Sequence, residues 1–250
     1  MKEIISIANH KGGVGKTSTA HALGAGLMQK GYKTLFIDLD AQGNLSFCLG
    51  ADPAPLTTLE VLTGTVTAED AIQHTEGGDI IPASPALAGA EQLITGTGKE
   101  YRLAEALEPL HSLYDYIIID CPPMLGTLTI NALTASTGTI IPVQADTFSI
   151  QGIGLLNDTI TAVRKYTNPA LKIKGILITR YNGRAILSKD MKEGLEQVAE
   201  HLGTELYKTQ IRECIAVKEA QASQKDIYSY SPKSNASQDY TAFIEELFRV

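Results

Sequence analysis

The stretch HKGGVGKTS, residues 10–18, lies between the apolar run EIISIAN (residues 3–9) and the helical pattern STAHALGAGLMQK (residues 18–30). A glycine-rich turn that follows a strand, opens a helix and ends in Gly-Lys-Thr is typical of a loop that binds phosphate through backbone amides. The usual pattern G-x-x-x-x-G-K-[ST] is not fully met, because His10 occupies the place of its first glycine. The stretch therefore predicts a variant phosphate-binding loop that contains a second lysine, Lys11.

The residues of this loop have separate predicted tasks. We expect the backbone amides from Gly12 to Thr17 to face the phosphates, with the N-terminus of the following helix adding positive potential. Lys16 is predicted to reach the β- and γ-phosphates, and Thr17 to bind Mg²⁺ through its hydroxyl. A dinucleotide-binding turn is disfavoured, because GGVG lacks the G-x-G-x-x-G spacing and gives the Lys-Thr pair no role. The predicted nucleotide-binding residues of the loop are Lys11, Gly12, Gly13, Val14, Gly15, Lys16, Thr17 and Ser18.

Outward from the loop, continuous apolar runs alternate with helical patterns along the whole chain. Further strands are predicted over residues 33–40, 79–84, 114–120, 138–144, 173–181 and 205–211. Helices are predicted near residues 99–110, 127–136, 150–167, 185–202 and 236–248. Continuous apolar strands separated by helices favour a parallel sheet covered on both faces. We therefore predict a three-layer, doubly wound α/β fold with a mostly parallel sheet, forming a single domain over residues 1–250 whose least regular part is residues 45–75.

Acidic residues stand at the ends of two of these strands. Asp120 ends the run YIIID, where an aspartate that binds magnesium beside Thr17 belongs, although a strand-end helix cap is the alternative interpretation. Asp38 and Asp40 lie in FIDLDAQGN, and their i, i+2 spacing predicts both carboxylates on one face of a strand. Two neighbouring carboxylates are unfavourable without a compensating cation, which Mg²⁺ and Lys16 would supply. The predicted magnesium-site residues are Thr17, Asp38 and Asp120.

The composition limits the classes of function. The formal net charge is −7 over 250 residues, so nucleic-acid binding would require a local basic patch. The cysteines Cys48, Cys121 and Cys214 form no CxxC pair, which gives no sign of a zinc site or disulfide framework and favours a cytoplasmic protein. No apolar stretch is long enough to span a bilayer, and the absence of tryptophan disfavours a stacking platform for single strands.

Taken in order and spacing, KGGVGKTS, FIDLDAQGN and YIIIDCPP resemble the deviant Walker A ATPases of the ParA/MinD group. The resemblance is closest to the ParA-type partition ATPases and spans essentially the whole chain. TRYN (residues 179–182), KTQIR (residues 208–212) and YSPKSNASQDY (residues 230–240) resemble the C-terminal half of that subgroup. The resemblance implies a magnesium-dependent ATPase that uses ATP, ADP and Mg²⁺.

The resemblance also implies roles for particular residues. Lys11 would reach across an ATP-bound sandwich homodimer to the partner's nucleotide, as an arginine finger does, whereas without the resemblance it is a solvated loop charge. Asp40 would position the attacking water, with Asp38 closer to the magnesium ion. Asp120 and the following CPPMLG would form a second switch that senses the γ-phosphate. The predicted catalytic residues are accordingly Lys11, Lys16 and Asp40.

Two further positions resemble those that face adenine in this family. They are Asn182 and the backbone near Pro232, and both join the predicted nucleotide-binding residues. Asn182 is equally well placed to cap the helix predicted to start at residue 185, and the sequence leaves both readings open.

DNA and a protein partner are implied by the resemblance. Partition ATPases bind double-stranded DNA non-specifically as ATP dimers, and a ParB-like centromere-binding partner stimulates hydrolysis, so we expect a nucleoid-associated cytoplasmic protein. Residues 171–233 hold eleven Lys and Arg against eight Asp and Glu, whereas the remainder holds ten against twenty. The candidate DNA contacts are Arg180, Arg184, Lys189, Arg212, Lys218 and Lys225. In IRECIAVKEA the place of an arginine common in the family is taken by Ala216, which weakens this patch.

A membrane-cycling ATPase of the MinD kind is the alternative function. It would need a basic amphipathic C-terminal tail, but DYTAFIEELFRV carries Glu245 and Glu246 beside its apolar residues. We therefore predict a packed final helix and no membrane partner. A ligase that activates a carboxylate with ATP is a further class, for which the sequence offers no second substrate site. The chain begins at its first strand, which resembles the short form of the family without its own operator-binding segment.

Overall fold

The computed structural model describes residues 1–52, 56–182 and 187–249. Within them, eight strands form one sheet in the order β3-β4-β2-β5-β1-β6-β7-β8. Seven strands run parallel, and β3 pairs antiparallel with β4 at one edge. The strands are β1 Glu3–Ile7, β2 Thr34–Asp38, β3 Gln73–Thr75, β4 Gly78–Ile81, β5 Tyr116–Asp120, β6 Gly138–Gln144, β7 Lys172–Tyr181 and β8 Leu206–Arg212.

Helices connect the strands and cover the sheet. The α-helices are α1 Lys16–Gln29, α2 Asn44–Cys48, α3 Thr58–Thr63, α4 Ala90–Leu93, α5 Arg102–Leu107, α6 Thr127–Ala135, α7 Thr147–Tyr166, α8 Leu187–His201, α9 Ile215–Ala222, α10 Ile227–Tyr230 and α11 Asn235–Phe248. Short 3₁₀ turns occupy Pro85–Gly89, Lys99–Tyr101 and Glu108–Ser112.

The central strands are buried on both faces because their side chains alternate between two apolar cores. In β5, Ile117 and Ile119 point into the core that includes side chains of α3, α5, α6, α7 and α8. Ile118 points into the opposite core, formed with α1, α9, α10 and α11. This two-sided burial gives the continuous apolar pattern of a parallel sheet and confirms the predicted three-layer architecture.

Each strand predicted from the sequence is present, with ends that shift by at most three residues and with β6 matching its predicted range. The edge strand β3 was not predicted, because its sequence QHT is short and polar. The helix predicted near residues 99–110 is wrong in detail, since the α-helix covers only Arg102–Leu107 between two 3₁₀ turns. Pro109 lacks the backbone N–H that a continued α-helix would use there. The helices α9 and α10 were also not anticipated.

The topology collects the candidate functional residues at one edge of the sheet. The parallel register aligns Ile7 of β1 with Asp120 of β5, and Asp38 of β2 with the same Asp120. The glycine-rich stretch of residues 10–18 follows β1, and β1 lies between β5 and β6 in the sheet. Loops at the carboxyl ends of parallel strands, where connections depart to opposite sides, form the usual ligand crevice of such sheets.

Candidate nucleotide site

Polar side chains from neighbouring strands hold the loop after β1. The hydroxyl of Thr179 donates to the carbonyl oxygen of Val14 at 2.7 Å, and Gln144 Nε2 donates to that of Gly13 at 2.9 Å. Asn9 is buried at the start of the loop, where its Oδ1 accepts the backbone N–H of Lys11 at 3.0 Å. With its carbonyls bonded to these donors, the loop keeps one backbone shape.

Two glycines give the loop its cradle form. Gly13 and Gly15 have φ values of 75° and 81°, in the left-handed region that side chains disfavour. Gly15 stands at the N-cap position of α1 and offers no side-chain cap, so the first amides of the helix are left for another acceptor. A Cβ added at Gly12 or Gly13 would meet no atom within 4 Å. The loop therefore presents amides to open space at a helix N-terminus, as phosphate binding requires.

Lys16 is the first residue of α1 and is only 7% exposed. Its Nζ donates to the carbonyl oxygen of Lys11 at 3.1 Å, so the side chain curls back over the loop. Burial lowers the pKa of this ammonium, and the carboxylate of Asp120 acts in the opposite direction. A cation that is nearly buried and has this single described hydrogen bond is well suited to pair with phosphate oxygens.

Asp120 lies beside Thr17, as the sequence predicted. The Thr17 hydroxyl donates to Asp120 Oδ2 at 2.6 Å, whereas Oδ1 is buried without a hydrogen-bond partner among the described residues. Burial raises the pKa of Asp120 well above its ordinary value, and the neighbouring carboxylate of Asp38 raises it further. An unpartnered buried carboxylate oxygen beside a threonine hydroxyl fits a hydrated divalent cation.

Asp38 and Asp40 do not share a strand face, which corrects the prediction made from their spacing. The strand β2 ends at Asp38, and Asp40 lies in the following turn, where it accepts the N–H of Gln42 at 3.1 Å. Asp38 is fully buried, and its Oδ2 accepts both the N–H and the hydroxyl of Ser46 at 2.8 Å. Burial raises the pKa of Asp38 to about 6, although the Ser46 hydrogen bonds act to lower it. Ser46 therefore stabilises the buried carboxylate of Asp38 through two hydrogen bonds, and the compensating role of Mg²⁺ and Lys16 stays a prediction.

The oxygen donors of this site fit magnesium better than a metal ion whose ligands all come from the protein. Among the described residues, no group of three or more His, Cys, Asp and Glu is placed to hold a metal ion. Magnesium usually keeps several waters and binds one or two protein oxygens together with substrate phosphates. The Thr17 hydroxyl and the Asp120 carboxylate would hold it, and the ion would neutralise charge on the phosphates.

Lys11 turns away from the cradle. Its ammonium forms an ion pair with Asp146, just before α7, and the two side chains are 29% and 32% exposed. This pair helps to lower the pKa of Asp146 against the opposing effect of burial. The two lysines of the loop therefore point to different places, Lys16 inward and Lys11 toward the rim.

A cavity of about 160 Å³ opens beside the loop toward β7, β8 and α9. Its walls include Gly15, Ser18, Thr179, Cys214 and Gln221. Gln221 Nε2 donates to the Ser18 hydroxyl at 3.1 Å, which ties α9 to the start of α1. Gln221 and Cys214 were not predicted as site residues, because they belong to no sequence motif and come from far along the chain.

Neither of the two positions expected to face adenine is among the described lining residues of this cavity. Asn182 is exposed and directly follows β7. Pro232 is exposed between α10 and α11. The helix predicted from residue 185 begins at Leu187, and residues 183–186 lie outside the described part, so the capping alternative for Asn182 stays a prediction.

The proposed DNA contacts are not equally available. Arg212 forms a bidentate ion pair with Asp239, with donor–acceptor distances of 2.6 to 3.1 Å, and Arg180 pairs with Glu213 at 2.9 Å. Lys218 on α9 and Lys225 after it are exposed. Arg184 lies outside the described residues, and Lys189 lies in α8 with an undescribed side chain. Two of the six candidates are therefore held in ion pairs and two are exposed, and the DNA contacts stay a prediction.

A strand, a glycine cradle, a helix that starts with Lys-Thr and an aspartate on the adjacent strand define a P-loop nucleoside-triphosphate-binding protein. Comparison with known proteins agrees. The family described as "AAA domain" matches residues 2–173 of the chain.

Known relatives indicate which kind of P-loop protein this chain is. The chain is 40% identical over 252 residues to the sporulation initiation inhibitor protein Soj of Bacillus subtilis, covering 99% of this chain and 98% of Soj. It is 38% identical over 251 residues to the chromosome partitioning protein ParA of Myxococcus xanthus, covering 98% of this chain and 88% of that protein. A crystal structure of cobyrinic acid a,c-diamide synthase from Mycobacterium smegmatis with bound ADP and magnesium is 37% identical, with a TM-score of 0.86, covering 100% of this chain and 95% of that one. The chain belongs to the ParA-type partition ATPases of the ParA/MinD family.

Proposed function

We propose that this ATPase works as a DNA-partition switch built from a single P-loop domain. Mg²⁺-ATP would bind to residues 11–18, with adenine near Asn182 and Pro232, and two chains would close into a sandwich dimer. The dimer would bind double-stranded DNA without sequence preference in the cytoplasm, on the nucleoid. A ParB-like centromere-binding partner would then stimulate hydrolysis, in which Asp40 orients the attacking water.

The proposal of a dimer rests on one observation, which is that the two lysines of the loop, Lys11 and Lys16, point in different directions. Lys16 lies over its own cradle, so the chain's own phosphates already have a cation. Lys11 is paired with Asp146 at the rim of the site, where both side chains are about a third exposed and a second molecule can reach them. A cation delivered from a partner to developing phosphate charge accelerates transfer and makes dimerisation depend on the triphosphate.

Lys11→Ala tests this arrangement directly. We expect the variant to bind ATP normally, because Lys16 and the loop amides remain, and to lose ATP-dependent dimerisation or turnover. Nucleotide affinity is read by titration with a fluorescent ATP analogue, and dimerisation by sedimentation with ATP and with ADP. If both dimerisation and turnover persist at wild-type levels, Lys11 has no role in a partner's site.

The DNA step rests on exposed cations that no described ion pair neutralises. Lys218 and Lys225 meet this condition, whereas Arg180 and Arg212 are paired with carboxylates. We expect salt-sensitive DNA binding with ATP and not with ADP, and a shallower salt dependence in Lys218→Ala/Lys225→Ala. Lys30→Ala, at an exposed position after α1, is the control and should keep the wild-type slope. Absence of salt-sensitive binding in the ATP state contradicts the DNA proposal.

The MinD-like alternative predicts membrane binding instead. Phe243 and Ile244 of α11 are buried in the core shared with α1, so this apolar face already packs against the protein. No helix among the described residues has the length and apolarity to cross a bilayer. Co-sedimentation with anionic liposomes in the presence of ATP distinguishes the two functions. A partition ATPase stays in the supernatant, whereas a MinD-like ATPase pellets with the liposomes.

A further inference from the structure

The carboxylate of Glu91, on the short helix α4, holds the first turn of α6. Its Oε1 accepts the backbone N–H of Thr127 at 2.5 Å, and its Oε2 accepts the Thr127 hydroxyl at 2.7 Å. These bonds lower the pKa of Glu91, so a charged carboxylate stands at the positive end of α6. The N-cap residue Gly126 has no side chain, and Glu91 supplies the missing cap from a different part of the chain.

The loop of residues 121–126 connects Asp120, the last residue of β5, to the first turn of α6, which Glu91 caps. At the beginning of the loop, the N–H of Cys121 donates to the carbonyl oxygen of Ile7 at 3.2 Å. In the middle, the Pro123 carbonyl oxygen lies 3.1 Å from His10 Nδ1 of the phosphate-binding loop. The far end is held by Glu91. The loop therefore bridges the phosphate cradle and α4, and its position depends on both attachments.

Glu91 also shares a groove with Asp40. The groove has a volume of about 290 Å³ and runs along Pro122, Pro123 and Met124 of the loop. Asp40 stands in its wall together with Glu91. A shift of the loop therefore changes the surroundings of the carboxylate that is proposed to orient water.

We propose that Glu91 is a positioning residue for ATP hydrolysis. Through Thr127 it fixes the loop between Asp120 and α6, and so links the segment of residues 85–93 to the reacting phosphate. This role rests on the proposed function of the site, but it concerns turnover and is independent of DNA, partner and membrane.

Glu91→Ala removes both hydrogen bonds. Because Glu91 is exposed, solvent weakens both bonds, and we expect kcat to fall roughly tenfold with the KM for ATP unchanged within about twofold. Glu91→Gln should recover most of the turnover, because its amide still offers an acceptor to the Thr127 N–H and a donor to the hydroxyl oxygen. Gln92→Ala, at the neighbouring exposed position of α4, should match the wild type.

Gly126→Ala reaches the same contact from the other side. The backbone of Gly126 (φ −97°, ψ −159°) suits alanine, but the new Cβ would lie 2.2 Å from Glu91 Oε1 and displace the carboxylate. The single variant should therefore lose turnover to the same extent as Glu91→Ala. In Glu91→Ala/Gly126→Ala the clash is absent, so the double variant should be no slower than Glu91→Ala alone.

These measurements separate a positioning role from a purely structural one. Additive losses in the double variant, or wild-type kcat in Glu91→Ala, overturn the proposal. A loss of ATP binding in Glu91→Ala also overturns it, since Glu91 would then support the phosphate-binding loop of residues 10–18 rather than the loop of residues 121–126. If the wild type hydrolyses ATP but binds no DNA, the partition proposal fails while the Glu91 result still stands.

Discussion

Replacing Asp146 with asparagine removes the charge that holds Lys11 in the single chain. Asp146 Oδ1 accepts the N–H and the hydroxyl of Ser149 at 3.1 and 3.2 Å, and Oδ2 carries the ion pair with Lys11. Asparagine keeps an oxygen for Ser149, so the start of α7 is preserved. Because the proposed dimer draws Lys11 away from Asp146, we expect Asp146→Asn to dimerise more tightly with ATP.

The size of the effect follows from the exposure of the pair. Both side chains are about a third exposed, so solvent screens the attraction and each pair contributes about 1 kcal/mol. A symmetric dimer breaks two such pairs, which gives about 2 kcal/mol or roughly a 30-fold lower dimer Kd. The gain should shrink as salt is raised, since screening weakens the pair that the wild type must break.

Sedimentation velocity over a concentration series, with a non-hydrolysable ATP analogue, measures this Kd. Asp158→Asn is the matched control, because it makes the same charge change at an exposed position of α7, about 18 Å along the helix. An unchanged or weaker dimer in Asp146→Asn refutes the reasoning, because Asp146 would then not compete for Lys11.

The remaining predictions concern nucleotide binding, hydrolysis and stability. Lys16→Ala should abolish ATP binding, and normal affinity in a nucleotide titration would remove Lys16 from the phosphate site. Asp40→Ala should bind ATP and dimerise but not hydrolyse, which a phosphate-release assay checks; wild-type turnover would exclude Asp40 from the mechanism. Burial lowers the pKa of His21 to about 4, despite the opposing charge of Asp226, so its contribution to stability is complete above pH 6.5 and is lost as the pH falls toward 4. Between pH 7.5 and 5.5 the wild type should lose about 1.4 kcal/mol of unfolding free energy relative to His21→Gln, measured by urea denaturation.

The fold and the phosphate cradle were predictable because their signals are local. The alternation of Ile117, Ile118 and Ile119 between two cores leaves a continuous apolar run in the sequence. The two glycines with positive φ, Gly13 and Gly15, lie close together in the loop, and Gly15 directly precedes the lysine and threonine that complete it. The apolar run does not mark where a strand ends, and the prediction that Asp40 lies on β2 is therefore wrong, since β2 stops at Asp38.

The supporting residues of the site were not predictable, because they reach it from distant parts of the chain. Gln144 and Thr179 bond to the loop from positions more than 130 residues away, and Glu91 caps a helix that starts 36 residues later. The same limit affected the charged patch. Residues 171–233 carry an excess of basic residues in the sequence, but the sequence does not reveal that Asp239 binds Arg212.

The charges around the loop give a physical reason for two lysines. The carboxylates of Asp38 and Asp120 are buried at adjacent strand ends, and burial raises the pKa of each. Lys16 must remain near them, since it is nearly buried and Asp120 favours its charged form. Lys16 is therefore held within its own chain. A cation for the nucleotide of a second chain has to come from a lysine whose ion-pair partner lies at the rim of the site. In the proposed dimer Lys11 fills this role, because its partner Asp146 is about a third exposed and exchanging it for a phosphate costs little desolvation.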